Sequence, residues 1–365
     1  MTDEALVYRV PMRHPGDVSG VAALIDSCTL EPTRIMAVLG KTEGNGCVND
    51  HTRGYAVLAL QVLLAERLGT TRTAVADRVA IVMSGGTEGG LSPHFTVFAT
   101  RPGAAAPTGN KALAIGVAHT PDIAPAEVGR VAQVECVAAA VRQAMQRAGI
   151  ADPADIHYVQ VKCPLLTSER VAAATGAVVT ADTYKSMAFS RGASALGVAL
   201  ALGEVSEVSN ATVLHDLSRW SGRASASAGI ELMRNEVMVL GNSAAWSGPL
   251  RIAHGVMADA IDFDTISGVL GQLGFATGRQ LDSDARGRIR AVLAKADPGS
   301  TGYIRGQRHT MLDDSDINAT RHARALVGGV VAAATGQTDL FVSGGAEHQG
   351  PDGGGPIAII ADISC

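Results

Sequence analysis

Short apolar runs alternate with longer Ala-rich stretches along this chain, and the alternation comes round three times. In each round an apolar run ends in a lysine: Val38-Leu39-Gly40-Lys41, Val159-Gln160-Val161-Lys162 and Val292-Leu293-Ala294-Lys295. After a loop comes an Ala-rich stretch that opens at a Ser/Thr-Arg pair and closes at a glycine: Thr52-Arg53 to Gly69, Ser190-Arg191 to Gly203 and Thr320-Arg321 to Gly336. The short runs predict strands and the long stretches predict helices. Thr52, Ser190 and Thr320 are expected as N-caps, and the three glycines as C-caps. A second apolar run delivers a serine, Val79–Met83 before Ser84 and Leu340–Val342 before Ser343. In the middle round Arg223-Ala224-Ser225-Ala226 precedes Ser227 and is a weaker strand signal. A β-rich run closes each round: Phe95–Phe98, Val237–Leu240 and Ile357–Ile360.

Strands alternating with helices predict an α/β architecture. The period is far longer than that of a solenoid or a propeller blade and is itself domain-sized. The pattern therefore predicts three tandem homologous repeats, at 1–103, 111–247 and 252–365. The turn-rich segment Arg101-Pro102-Gly103-Ala104-Ala105-Ala106-Pro107 marks the first boundary, and Ser247-Gly248-Pro249 the second. Three such units around one axis would bring their lysines and serines together at the centre.

Composition narrows the classes of function. The chain has 365 residues, of which 47% are hydrophobic, enough for a large core. A net charge of −5, no basic run and only 4% aromatic residues argue against a nucleic-acid partner. The five cysteines, Cys28, Cys47, Cys136, Cys163 and Cys365, include no C-x-x-C pair, which fits a reducing compartment. The first residues have no secretory pattern and no long apolar run occurs, so a soluble cytoplasmic protein with no membrane association is expected.

The chemistry lies in the serine signature, which reads Ser-small-Gly-x-Glu: Ser84-Gly85-Gly86-Thr87-Glu88, Ser227-Ala228-Gly229-Ile230-Glu231 and Ser343-Gly344-Gly345-Ala346-Glu347. A strand ending in serine before small residues exposes the hydroxyl and lets backbone N–H groups approach a ligand oxygen. A single copy is more often an ordinary glycine turn; three matched copies reverse that weighting. A lone lysine is more often a surface residue with its head in water. Three lysines beside three serines favour Ser–Lys dyads, in which burial and cationic neighbours lower the lysine pKa. Gly40-Lys41-Thr42 imitates the end of a P-loop, but Ile35 stands where that motif needs glycine, so a nucleotide site is excluded. His94, His309 and His348 lie near the signatures, yet no histidine recurs in all three, and Cys47 and Cys163 have no third counterpart.

Longer segments carry a family resemblance. Gly40-Lys41-Thr42-Glu43-Gly44-Asn45-Gly46-Cys47-Val48-Asn49-Asp50, Met83-Ser84-Gly85-Gly86-Thr87-Glu88-Gly89, Val161-Lys162-Cys163-Pro164-Leu165-Leu166, Ser190-Arg191-Gly192-Ala193-Ser194-Ala195-Leu196-Gly197 and Ser343-Gly344-Gly345-Ala346-Glu347-His348-Gln349-Gly350-Pro351 resemble the ring-opening amidohydrolase family. Its two branches are the cyanuric acid hydrolases and the barbiturases, and the sequence is more similar to the first. The resemblance covers essentially the whole chain. It implies a three-repeat, pseudo-threefold symmetric α/β barrel with helices outside, assembled as a homotetramer. It implies hydrolytic opening of cyanuric acid to carboxybiuret, which loses CO₂ to give biuret, with no organic cofactor.

By the same resemblance Ser227 is the nucleophile and Lys162 its base, with Lys41 and Lys295 as the other dyad lysines. The substrate-binding set is Arg53, Ser84, Gly85, Arg191, Ser227, Ala228, Arg321, Arg324, Ser343 and Gly344, with the third arginine open between Arg321 and Arg324. A structural divalent cation, Mg²⁺ or Ca²⁺, is implied on Asp297 and the loop residues Ala346, Gln349, Gly350, Pro351 and Gly354, an all-oxygen set suited to either ion.

The threefold symmetry of cyanuric acid, three carbonyls alternating with three N–H groups, matches three Ser/Arg sets. Arginines at helix N-termini are expected to add the positive end of the helix dipole. Two residues after the lysine, the first and third rounds carry an acid, Glu43 and Asp297, and the second carries Pro164. Lys162 is therefore expected to be the easiest of the three lysines to deprotonate. The alternatives are a barbiturase acting on barbituric acid and a non-catalytic protein that binds a small metabolite.

Overall fold

A computed structural model describes residues 2–103 and 110–364. Of the expected linker, Ala104–Pro107 lie outside the described residues. The first stretch of chain forms β1 (Asp3–Pro11), α1 (Ser19–Asp26), β2 (Ile35–Thr42), α2 (His51–Leu68), α3 (Arg72–Arg78), β3 (Ala80–Gly85) and β4 (His94–Pro102). The second forms β5 (Ala112–His119), α4 (Val131–Arg147), β6 (Ile156–Pro164), α5 (Ser168–Ala172), α6 (Thr183–Leu202), β7 (Ala224–Gly229) and β8 (Glu236–Ser243). A short strand, β9 (Trp246–Ser247), leads into the third. That stretch forms β10 (Leu250–Met257), α7 (Phe263–Gln272), α8 (Ser283–Arg288), β11 (Ile289–Ala296), the small hairpin β12 (Tyr303–Ile304) and β13 (Gln307–Arg308), α9 (Ala319–Thr335), β14 (Phe341–Gly344) and β15 (Gly355–Asp362).

The fold is mixed α/β. Three sheets draw their strands each from one stretch of chain, in the orders β3-β2-β4-β1, β7-β6-β8-β5 and β14-β11-β15-β10. In all three the lysine strand runs parallel to the serine strand and antiparallel to the last strand of its stretch. The parallel register sets Lys41 beside Ser84, Lys162 beside Ser227 and Lys295 beside Ser343. The weak signal before Ser227 is nonetheless a strand, β7.

The sheets do not close into one barrel. Among the described residues the only strand pairing between stretches is that of β9, which adds to β1 in parallel. The physical reason lies at the inner edges, where side chains take the place of a neighbouring strand. Glu236 Oε2 accepts from Ile81 N of β3 at 3.1 Å, and Gln349 Oε1 accepts from Ala226 N of β7 at 2.7 Å. Lys162 and Lys295 donate to the carbonyls of Met83 and Ala226 on those same strands. Edge groups so capped have no need of a strand partner.

One apolar core fills the space between the three sheets. It takes Ala37, Leu39 and Val82 from the first, Tyr158 and Val239 from the second, and Leu293 and Phe341 from the third. The intervening residues Val38, Ile81, Val292 and Val342 pack instead beneath the helices. This alternation of period two aims Lys41, Ser84, Lys295 and Ser343 inward with Leu39, Val82, Leu293 and Phe341.

The helices end where expected, with Gly69, Gly203 and Gly336 at left-handed C-caps. They do not begin where expected. The N-caps are Asp50, Asp182 and Asn318, whose side chains accept from N–H groups of the first turn, in place of Thr52, Ser190 and Thr320. Asp182 starts α6 well before Arg191, so Ser190 lies within the helix and accepts from Gln133 Nε2 at 2.9 Å. Arg191 therefore has no helix N-terminus beside it.

Candidate active site

The inward strand ends bring three hydroxyls into contact. Ser227 Oγ lies 3.0 Å from Ser343 Oγ, and Ser84 Oγ donates to Ser343 Oγ at 3.4 Å. All three serines are buried, and the three lysines around them are completely inaccessible. Lys41 Nζ donates to Ser84 Oγ and to Gly85 O, both at 3.2 Å. Lys295 Nζ donates to Ser343 Oγ at 3.3 Å, to Gly344 O at 3.2 Å and to Ala226 O at 3.0 Å. Two of the three pairs are thus hydrogen-bonded dyads.

The middle pair is arranged differently. Lys162 Nζ donates to Met83 O at 2.7 Å and lies 2.7 Å from Glu231 Oε1. Among the described residues no hydrogen bond joins it to Ser227, which turns to Ser343 instead. Burial lowers the pKa of all three lysines. Cationic neighbours, Arg324 and Lys295, add to this at Lys41, and Arg191 adds to it at Lys295, which falls to about 7. At Lys162 burial again lowers the pKa, but Glu231 opposes it. The expectation that Lys162 stands free of an acid is overturned. Its acid comes from the loop after β7, not from the position two residues along its own strand. Glu43, the acid expected to hold Lys41 charged, is exposed; Glu88 and, more weakly, Asp50 are the carboxylates that raise the Lys41 pKa.

The arginines reach across from one stretch of chain to the next. Arg324 of α9 grips Glu88 with two hydrogen bonds, Nε to Oε2 at 2.8 Å and Nη2 to Oε1. Arg191 of α6 grips Glu347 in the same way, at 2.8 and 2.6 Å. Each guanidinium lies directly over a signature glycine. A Cβ at Gly86 would meet Arg324 at 2.6 Å, and one at Gly345 would meet Arg191 at 2.6 Å. Both glycines also have positive φ, 104° and 77°, so no other residue fits there without strain. Arg53 of α2 donates instead to Ala228 O at 2.7 Å and Cys47 O at 2.6 Å. Of the two candidates on α9, Arg324 is buried and makes the matching bridge; the Arg321 side chain is 40% exposed and reaches Glu88 only at 3.5 Å.

The three glutamates of the signature were visible as part of a recurring motif, but no role followed from sequence. Their recurrence was the available signal. His348 and His94 are held by main-chain hydrogen bonds. His348 donates from Nδ1 to Arg219 O and accepts at Nε2 from Leu214 N, and buried His94 is tied to Ser92 O with its pKa lowered to about 4. The Cys163 thiol is pushed up by burial.

Of the set expected to hold a cation, Asp297, Ala346, Gly350 and Pro351 line a cleft of about 180 Å³ together with Asp352, while Gln349 and Gly354 are not among its lining residues. Asp297 Oδ2 accepts from Gly299 N and Gly353 N at 3.2 and 3.0 Å. Burial and the neighbouring acids Glu347 and Asp352 raise its pKa. The Gln349 side chain is spent on Ala226 N, Gly345 O and Glu347 O, which leaves only its main-chain carbonyl. The carbonyls of Ala346 and Pro351 each accept one N–H, from Gln349 and Gly354 respectively. No group of three or more His, Cys, Asp or Glu suited to a metal occurs among the described residues. One carboxylate in acidic surroundings together with carbonyls suits only a hard, oxygen-seeking ion.

Comparison with known proteins gives a consistent answer. The sequence model of the amidohydrolase ring-opening protein family matches residues 6–362. A cyanuric acid amidohydrolase of Azorhizobium caulinodans is 57% identical over 98% of both chains, and one from Enterobacter cloacae is 52% identical over 98% of this chain and 99% of its own. A solved structure of a cyanuric acid hydrolase superposes with a TM-score of 0.94 at 51% identity, covering 99% of this chain and 100% of the other. A second, from A. caulinodans, gives 0.92 at 55% identity with full coverage of both.

Proposed function

We propose, from the premise that the chain belongs to the ring-opening amidohydrolase family and is a hydrolase acting on a cyclic amide, that its substrate is cyanuric acid. The observation that carries this reading is the convergence of Ser84, Ser227 and Ser343, each beside a buried lysine, onto one point. A ring with three equivalent carbonyls is the ligand such a constellation addresses.

In the reaction, the neutral amine of Lys162 accepts the Ser227 Oγ proton as Oγ attacks a ring carbonyl. The oxyanion is stabilised by the neighbouring cations and by the N–H groups beside the serines, at Gly85, Ala228 and Gly344. Collapse breaks the ring C–N bond, and the Lys162 ammonium returns its proton to the leaving nitrogen. Water then attacks the acyl-serine, giving carboxybiuret and regenerating the Ser227 hydroxyl; loss of CO₂ yields biuret. Lys41 and Lys295, with Ser84 and Ser343, hold the other two carbonyls. Arg53, Arg191 and Arg324 supply the positive surroundings for an acidic imide.

The reading includes three homologous repeats, 1–103, 111–247 and 252–365, set about a pseudo-threefold axis; the shared strand order supports it. A homotetramer in the cytoplasm follows from the family resemblance. Asp297 and the carbonyls of Ala346, Gln349, Gly350, Pro351 and Gly354 would hold a structural Mg²⁺ or Ca²⁺, whose charge would relieve the acidic cluster. Asp297→Ala is expected to remove the bound metal, measured by elemental analysis, and to lower Tm while the remaining folded enzyme keeps turning over. If chelation stopped turnover without loss of stability, the structural role would be wrong.

Side-by-side turnover of cyanuric and barbituric acids tests the substrate. Barbituric acid replaces one ring N–H with CH₂ and breaks the threefold match. Preference for it would overturn the assignment, and absence of turnover on both would favour a binding protein.

A further inference from the structure

The three Arg–Glu junctions ought to be alike, and one is not. At two of them the arginine Nε donates to the glutamate Oε2 at 2.8 Å, Arg324 to Glu88 and Arg191 to Glu347. At the third, Arg53 Nε is buried without a hydrogen-bond partner, and so are both carboxylate oxygens of Glu231. The unmade bonds are therefore the same ones that the other two junctions make. Glu231 is folded back over its own backbone, so close that a Cβ on Gly229 would lie 2.1 Å from Oε2. Its Oε1 lies 2.7 Å from Lys162 Nζ as an ion pair, while the same ammonium also donates to Met83 O. Arg53 Nε is thus a buried donor with no hydrogen bond, with Asp50 Oδ2 3.8 Å away; such a donor is costly, and the cost is relieved when the Glu231 carboxylate reaches it.

We propose that Glu231 is a two-position carboxylate, resting on Lys162 in the state seen here and moving onto Arg53 Nε in the state that reacts. It is a positioning residue: it sets whether the amine of Lys162 is free, and it does not touch the reacting atoms. The inference rests on the reading of Ser227 as nucleophile and Lys162 as base.

The charged and titratable groups around the pair are Arg53 from α2, Asp50 at the N-cap of α2 with Oδ2 3.8 Å from Arg53 Nε, Arg170 from α5, Cys163 from β6 and Glu236 from β8. Arg170 is committed to the carbonyls of Leu165 and Ile230, so it does not compete for Glu231. With the carboxylate against it, Lys162 is held as an ammonium and cannot accept a proton. When the carboxylate leaves, the ammonium is a buried charge beside Arg53 and releases its proton to water. The amine then takes the Ser227 proton. Pairing with Glu231 also neutralises Arg53, which works the other way, but the direct contact at Lys162 is the nearer and stronger influence.

The test is the pH dependence of kcat/KM on cyanuric acid for Glu231→Gln, with Glu88→Gln as comparator. Glu231→Gln is expected to move the acidic limb to lower pH, and Glu88→Gln to raise KM with the limb in place. A merely structural role for Glu231 would not move the limb. An active Glu231→Gln enzyme with an unmoved limb overturns the proposal and leaves the dyad standing. Turnover persisting in Ser227→Ala overturns the underlying reading instead. Should Glu231→Gln fail to fold, an experimental structure of Ser227→Ala with cyanuric acid bound decides. Glu231 on Arg53 supports the proposal, and Glu231 still on Lys162 defeats it.

Discussion

The junction between Arg324 and Glu88 and the junction between Arg53 and Glu231 use the same residue types, on sheets of the same strand order, and reach different electrostatic states. In the first, a two-pronged bridge uses up the carboxylate, and Lys41 is left to its serine. In the second, the carboxylate lies against Lys162, and the serine turns elsewhere. The comparison teaches that residue identity and backbone topology do not fix the electrostatic surroundings of a buried lysine. On the reading proposed above, which lysine acts as base rests on where one glutamate side chain lies.

The largest expected effect separates the two junctions by chemistry. Ser227→Ala should lower kcat by about 10⁴-fold or more, because nucleophile and base act as a unit. Ser84→Ala and Ser343→Ala should impair turnover yet still form an acyl-enzyme, detectable by intact mass. An adduct that survived in Ser227→Ala and disappeared in Ser84→Ala would assign the nucleophile to the other junction.

A smaller effect sharpens the bridged junction. Arg324→Lys keeps the charge but loses the planar fork to Glu88, and should cost about 10–100-fold in kcat/KM. Arg321→Lys, on an exposed side chain, should stay within about twofold of wild type. The reverse ranking would return the third substrate arginine to Arg321.

The smallest effect concerns the acid on the strand beside Lys162. Burial pushes Glu236 up to about 7 from an ordinary 4.5. Between those values the folded protein holds a proton that the unfolded chain has released, so this group's contribution to stability falls as pH rises. Glu236→Gln keeps an acceptor for Ile81 N without the charge. Its Tm relative to wild type should therefore climb between about pH 5 and pH 8. A constant difference across that range would mean that Glu236 is already ionised at low pH.

Much of this arrangement was legible in the chain. The period-two alternation around Lys41, Ser84, Lys295 and Ser343 was enough to place strands and aim side chains, and Gly69, Gly203 and Gly336 marked the helix ends. The helix starts were less legible. Asp50, Asp182 and Asn318 outcompete Ser and Thr as caps, and in α6 the signature Ser190-Arg191 sits in the helix interior, where capping rules say nothing. The acid at Lys162 was missed because a two-residue spacing along one strand was the only proximity sequence offers. Glu231 arrives through a turn after the adjacent strand. The different surroundings of Arg324 and Arg321 were likewise set by helix phase, which buries the first and leaves the side chain of the second 40% exposed.

The lysines that crown the strands also reach backwards along the chain. Lys162 finds its carbonyl acceptor at Met83, and Lys295 finds its own at Ala226, each in the stretch synthesised before it. A ribosome making this protein therefore delivers the carbonyl that each of these two lysines needs before the lysine itself, and each new sheet can dock on one already made. The remaining seam, where Arg324 closes on Glu88, joins the last stretch to the first and waits until nearly the whole chain has emerged. This late bridge ties the end of the chain to its beginning, and a chain truncated before α9 lacks it.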